Sequence, residues 1–417
     1  MERDTAERQL GDARTGEGFA ALWTLDPSVT FLNHGSFGAC PRVVLQAQDR
    51  LRARLEAEPV RFMVRELDAL LDASRAELAA FLGADAADLA FVPNATAGVN
   101  SVMRSLRFSA GDELVTTDQE YNASRNALEF AAERDGAKVV VAEVPFPLRS
   151  PAQVVEAILG KVTGRTRLVL VDHVTSQTGL VNPLPELLRE LNARGIPTMV
   201  DGAHAPGMVA LDLKKLGAAY YTGNCHKWIC APKGAAFLYV RSDLQQGIRP
   251  LAISHGANSP RADRSRFQIE FDWTGTYDPT AYLCVGEAIR YMGSLLPGGW
   301  PELREANRAK VLEGRKVLCE ALGQPEPAPA EMIGSLAAVP LPDGAGAPMK
   351  SPLYTDALQE RLMDGHGIEV PIVPWPRPPR RLIRVSAQLY NRPAEYRKLA
   401  TALVAELARE RGAKATG

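Results

Sequence analysis

Val200-Asp201-Gly202-Ala203-His204-Ala205-Pro206-Gly207 and, one apolar run later, Gly223-Asn224-Cys225-His226-Lys227-Trp228 decide the fold of this chain. Each piece is a short apolar run that stops abruptly at Gly and polar residues, as a buried strand does when it gives way to a turn. Asp201 and Lys227 are 26 residues apart. That spacing holds one more strand, Ala219–Thr222, and so allows both side chains to stand at the same edge of a sheet. Working outward, similar runs occur at Leu89–Val92, Glu113–Thr117, Lys138–Val144, Arg167–Asp172, Pro197–Asp201 and Ala235–Val240. Helical patterns separate most of them, at Tyr121–Asp135, Pro151–Val162 and Pro183–Arg194, and two helices precede them, Leu45–Glu58 and Val64–Leu82, the second ending at Gly83. Strand, helix, strand repetition with runs apolar throughout predicts an α/β fold, a mostly parallel seven-stranded sheet wrapped by helices.

From Trp300 the pattern changes to a long helix (Glu302–Leu322), Pro- and Gly-rich loops (Gln324–Ala330 and Pro340–Pro352), a helix Tyr354–Asp364 and a terminal helix from Pro393. This predicts a smaller C-terminal α/β domain. The expected division is 1–45 for an N-terminal arm and substrate-mouth segment, 46–298 for the large domain and 299–417 for the small one.

With 417 residues, 46% apolar and 23% charged, the chain has the composition of an ordinary globular protein and can bury a large core. Lys and Arg number 48 against 49 Asp and Glu. Without a global basic field, neither nucleic acid nor an anionic membrane is an expected partner. Five Cys without CxxC spacing argue against a disulfide framework or a structural zinc site and for a reducing compartment. Met1 to Arg8 carries both signs of charge and no apolar stretch of signal or spanning length follows, so a cytoplasmic protein is expected.

Ligand sites in open parallel sheets lie beyond the carboxyl ends of the strands. The polar residues gather there: Asn94-Ala95-Thr96 before a helical stretch, His173 to Gly179 with Ser176, Asp201 to Gly207, and Asn224 to Trp228. Alone, each has an ordinary reading. Asn94 and Thr96 suit a helix N-cap, Asp201-Gly202 a turn, and Lys227 a solvated surface. His204 and His226 with Asp172 or Asp201 lack the spacing of a metal site, and no metal is expected. Together they supply what pyridoxal 5'-phosphate (PLP) requires. Its aldehyde needs a Lys amine, its pyridine nitrogen a carboxylate, and its phosphate the amides and hydroxyls of a helix N-terminus.

The stretches around Asp201 and Lys227, with Pro232-Lys233-Gly234, resemble the class V aminotransferase family of fold-type I PLP enzymes. Phe31 to Gly38, Asn94-Ala95-Thr96 and Ile383 to Asn391 are most similar to its isopenicillin N epimerase-like branch, and the resemblance runs from about residue 30 to 400. It implies Lys227 as the Schiff-base lysine and proton carrier at the substrate's α carbon, and Asp201 as partner of the ring nitrogen. It further implies His204 and Ser176 near the ring phenol oxygen, and Asn94, Ala95, Thr96, Asn224 and His226 around the phosphate. Tyr121 is implied over the cofactor face, and Thr276 as a residue reaching the phosphate of a neighbouring subunit in a homodimer with shared sites. Arg384 would clamp the carboxylate of a small amino-acid or peptide-like substrate, with Asn33, His34 and Ser36 at its mouth. Family cysteine desulfurases carry a persulfide-forming Cys shortly before that Arg; between Gly367 and Arg384 there is none. That speaks against desulfuration by that route, and the resemblance to the epimerase-like branch implies epimerisation, with Tyr121 as a second catalytic group. A carbon–sulfur lyase or aminotransferase is the enzymatic alternative, and a catalytically silent PLP-binding regulator the alternative outside enzymes.

Overall fold

A computed structural model describes residues 16–344 and 356–415 of the chain. The charged first residues, the expected helix start at Tyr354 and most of the second Pro- and Gly-rich loop lie outside the described residues.

Seven strands form the central sheet: β2 (Leu89–Val92), β3 (Glu113–Thr117), β4 (Lys138–Ala142), β5 (Thr166–Asp172), β6 (Thr198–Asp201), β7 (Tyr220–Asn224) and β8 (Ala236–Val240), after a two-residue β1 (Thr30–Phe31). Their order is β2-β8-β7-β6-β5-β3-β4. All pairings are parallel except those of β8, which is antiparallel to both β2 and β7. The expected mostly parallel sheet is thus found, with one reversed strand, because only a short turn carrying Lys227 joins β7 to β8 and such a turn cannot cross over to a parallel neighbour.

Alternate residues face opposite layers. Leu168, Leu170 and Met199 pack with Val99, Val102, Leu128 and Ala131 of helices Ala95–Ser105 and Asn122–Asp135. Val169, Val171 and Val200 pack with Leu78 and Leu82 of helix Leu67–Leu82, Val154 and Ile158 of Ala152–Leu159, and Leu187 and Leu191 of Leu184–Ala193. Each fully buried aliphatic side chain contributes roughly 1.5–3 kcal/mol, so both faces must be covered for the sheet to persist. The helix expected to begin at Val64 starts instead with a π-helical turn, Arg61–Glu66.

Beyond helix Gly299–Leu322, a three-stranded antiparallel sheet of order β11-β12-β9 is built from β9 (Leu336–Leu341), β11 (Ile372–Pro374) and β12 (Arg381–Ser386). Helices Ala357–His366 and Pro393–Ala415 accompany it. Strand β10 (Ile368–Glu369) pairs in parallel with β1, tying the N-terminal segment to this region.

Candidate active site

The carboxyl ends of β2, β5, β6 and β7 and the turn after β3 converge on a cavity of about 500 Å³. Between β3 and β5 the chain's direction of progress across the sheet reverses, and ligands of open sheets bind at such switch points. Asn94, Ala95, Thr96, Tyr121, Ser176, Asp201, His204, Asn224, His226 and Lys227 all line this cavity, as does Ser36.

Lys227 sits on the turn after β7. Its Nζ is 3.0 Å from His204 Nε2. Burial, reinforced by the charge of Arg384, pulls its ammonium down to about 7, against the opposing pull of Asp201 and Asp172. Burial and the charge of Lys227 keep His204 neutral, with its pKa well below the ordinary imidazole value, and its buried Nδ1 has no partner. Asp201 ends β6 with 2% of its surface exposed. It accepts from the Ser124 hydroxyl at 2.6 Å and from the Ala203 amide at 3.0 Å. Burial raises its carboxyl, opposed first by the bond from Ser124.

At the opposite end, helix Ala95–Ser105 points its N-terminus into the cavity. Asn94 Oδ1 accepts from the Ala97 amide at 2.9 Å, and Asn224 Oδ1 accepts from the Ala95 amide at 2.9 Å. Asn94 is therefore a helix cap as well as a cavity wall, and Asn224 reaches across from β7 to fix the same terminus. The helix lies so close to β7 that a Cβ at Gly98 would stand 2.2 Å from Thr222 Oγ1. His226 donates Nδ1–H to Ala235 O at 3.1 Å, and burial lowers its imidazole to about 4. A helix N-terminus with neutral donors around it is suited to a dianionic phosphate.

Arg384 stands on β12, one layer behind the wall. Its Nη1 donates to Ser176 O at 2.5 Å and to Ser176 Oγ at 3.3 Å; its Nη2 donates to Ser36 Oγ at 2.9 Å and to Asn33 Oδ1 at 3.4 Å. Every one of these acceptors is neutral, and its buried Nε has no partner. Asn33 in turn donates to Glu369 Oε1 at 2.9 Å.

The expected position of His34 differs. His34 is fully buried behind the lysine turn, away from the mouth: its Nε2 donates to Lys227 O at 3.0 Å, and Tyr390 Oη lies 2.8 Å from Nδ1. Around it, Ser386 Oγ accepts from the Gly35 amide and Lys233 Nζ donates to Gly38 O, both at 3.0 Å, so segment 32–38 joins β12 to the lysine turn. Gly38 has φ 70°, and a Cβ there would stand 2.1 Å from His226 O. Thr276 is exposed and lies outside this chain's cavity. The sequence reading assigns no role to Phe37, Ser124, Lys233, Glu120 or, apart from a metal site, to Asp172. Phe37, Asp172 and Lys233 line the cavity, and Ser124 was legible only as one more helical serine.

The residues present fit PLP: a lysine with a depressed pKa, a buried carboxylate, a helix N-terminus, and unpartnered buried polar atoms on His204 and Arg384. The family described as Aminotransferase class-V matches residues 31–311. An isopenicillin N epimerase of Amycolatopsis lactamdurans is 38% identical, over 91% of this chain and 96% of its own length. A probable chloroplastic L-cysteine desulfhydrase of Arabidopsis thaliana is 31% identical, over 91% of this chain and 83% of its own. A solved structure of a C-DES mutant with glycine covalently linked to the PLP cofactor superposes with TM-score 0.74 at 22% identity, covering 91% of this chain and 97% of that one.

Proposed function

The chain belongs to the class V aminotransferase family of PLP-dependent enzymes, and from that premise we propose that it epimerises the α carbon of an amino acid or peptide-like amine. The observation that carries this reading is the Lys227 amine in the cavity together with a buried guanidinium that stands directly behind the wall residues Ser36 and Ser176 and meets only neutral groups. An α-amino acid brings the carboxylate that Arg384 lacks and an amine that would take the place of the Lys227 amine at the cofactor's aldehyde.

Lys227 would hold the cofactor's aldehyde carbon, Asp201 its ring nitrogen, and Asn94 to Thr96 with His226 its phosphate. When bound, PLP acts as an electron sink that makes the substrate's α proton acidic. Arg384 orients the substrate by its carboxylate, a task suited to a planar fork. Lys227, with a pKa near neutrality, takes and returns the α proton from its side. Inversion needs a second donor, and Tyr121 serves; burial raises its phenol, so at neutral pH it rests protonated and gives its proton, and the phenolate left behind takes one back in the reverse direction. None of the five cysteines lines the cavity, and burial pushes their thiols up, which speaks against a persulfide route.

A second reading, elimination with release of sulfide from a cysteine-like substrate, is supported by the desulfhydrase relative. Incubating the holoprotein with a panel of amino acids and peptide-like amines in deuterated buffer decides between them. Inversion with α-deuterium uptake supports the epimerase, and Tyr121→Phe should then keep exchange while losing inversion. Sulfide and keto acid without inversion favour the lyase; no exchange with any substrate removes both. We further propose a homodimer in which Thr276 completes the partner's phosphate site, in a cytoplasmic protein whose cysteines stay reduced; among the described residues no helix is long and apolar enough to cross a membrane. A fully active monomer in light scattering would contradict the dimer.

A further inference from the structure

Beside Asp201 stand two more carboxyls to which the proposed reaction gives no task, Asp172 in the cavity wall and Glu120 behind it. Strands β5 and β6 pair with Asp172 directly opposite Asp201. Glu120 follows β3, the neighbour of β5 on the other side. Oxygens of the three lie within 4.8 Å of one another, and the residues are 5% (Glu120), 3% (Asp172) and 2% (Asp201) exposed. Their bonding is unequal. Asp201 has two donors, Ser124 and Ala203. Glu120 has the Thr116 hydroxyl at a long 3.5 Å and a buried Oε1 without a partner; Asp172 has a buried Oδ2 without one. The cations facing the trio are Lys227, towards Asp172 and Asp201, and Arg125, towards Glu120; His204 is neutral and Tyr121 is a neutral phenol. Three buried negative charges so close repel one another strongly, and these two cations, Lys227 shared with the proposed cofactor and Arg125 paired with Glu129, do not compensate them.

We propose that Glu120, Asp172 and Asp201 form one proton-sharing unit, in which Glu120 and Asp172 stay protonated at neutral pH and act as positioning residues that confine the trio's negative charge to Asp201. The consequence for catalysis rests on the proposed pairing of Asp201 with the ring nitrogen, where a localised charge is what the pyridine needs. The direction of titration agrees. Burial, then mutual repulsion, drives the carboxyls of Glu120 and Asp172 well above the ordinary range against the Tyr121 amide and, for Asp172, Lys227, whereas Asp201 has the bonds from Ser124 and Ala203 in addition to Lys227 to hold it back. As pH rises, the next proton leaves Asp172 or Glu120, and the new charge faces Lys227 and strengthens its hold on a proton.

The test is infrared spectroscopy of the full-length holoenzyme at neutral pH without substrate. A protonated carboxyl has a carbonyl stretch that ionised carboxylates lack. The expected result is such a band in the wild type that is diminished in Asp172→Asn and in Glu120→Gln and unchanged in Asp201→Asn. A wild type without the band, as a divalent cation held by the trio would also produce, overturns the proposal. So does a band that survives in full in both Asp172→Asn and Glu120→Gln, or one that disappears in Asp201→Asn. The visible absorbance of the bound cofactor gives a second readout: its pH midpoint should fall by about one unit in Asp172→Asn, because the late negative charge no longer forms, and an unmoved midpoint counts against the unit. Both measurements omit turnover, so an enzyme that proves to be a lyase leaves them standing, and a failed infrared test leaves the epimerase reading untouched. If one variant does not fold, the other isostere carries the test.

Discussion

Arg381 and Arg384 lie three residues apart on β12, each 4% exposed, on opposite faces of the strand. Arg381 turns towards helices Ala357–His366 and Pro393–Ala415. There it meets two carboxylates, Asp356 at 2.8 Å and Glu410, and donates to Pro342 O at 3.0 Å. Burial pulls its guanidinium down, but Glu410 and Asp356 outweigh burial and hold it above the ordinary value. Arg384 turns towards the large sheet and finds hydroxyls, a carbonyl and an amide oxygen, and burial pulls it to about 10. A buried charge is stable only when compensated. In Arg381 the chain supplies the compensation itself; Arg384 meets only neutral acceptors, and the substrate carboxylate proposed above would supply the opposite charge.

The strongest way to break this contrast is Arg384→Ala. The expected loss is about 10³-fold in kcat/KM, or ~4 kcal/mol, for an α-carboxylate substrate, with an unchanged or raised Tm because an uncompensated charge has gone. A kcat/KM within tenfold of wild type removes Arg384 as the anion clamp. The converse is Arg381→Met, expected to lower the unfolding free energy by about 3 kcal/mol in denaturant titration, since Asp356 loses this partner and Glu410 is left with Arg361, while kcat/KM stays within about twofold. Activity falling before stability would place Arg381 in the site and dissolve the distinction.

Segment 32–38, which leans on Arg384's strand, adds a pH-dependent measurement. Burial lowers the His34 imidazole from 6.5 to about 3. The folded state therefore binds fewer protons than the unfolded one at mildly acidic pH, and the stability tied to His34 is full above 6.5 and lost as pH falls towards about 3. In His34→Asn the plot of unfolding free energy against pH should be shallower over that window by up to about one proton; an equal slope would mean that the imidazole is not held neutral. The smallest effect is expected from Ser36→Ala, which removes one neutral acceptor from Arg384: a loss of up to about tenfold in kcat/KM, ~1 kcal/mol, without a change in Tm.

The strands of the large sheet were legible because each is a short apolar run closed by polar residues, and Leu168 to Val171 had to be covered on both faces. Asp201 and Lys227 followed from where those runs stop. The reversal of β8 was not legible, because Ala235–Val240 is as uniformly apolar as its parallel neighbours. His34 reads as a mouth residue in sequence because its partners, Lys227 and Tyr390, are 193 and 356 residues away. The acid trio was hidden for a similar reason. Glu120 and Asp172 are ordinary loop and strand-end acids until β3, β5 and β6 become neighbours, an order that periodicity does not encode.

The segment from Leu32 to Gly38 is bonded to β12 at one end and to the turn of Lys227 at the other. It works as the bar of a caliper, with the guanidinium of Arg384 on one jaw and the amine of Lys227 on the other. Because the bar is seven residues of one chain, hydrogen-bonded at both ends, the gap between the jaws is set before any guest arrives. With the roles proposed for Arg384 and Lys227, such a gauge would measure only the part of a guest between its carboxylate and its amine, and whatever extended outward past Phe37 and Tyr121 would go unmeasured.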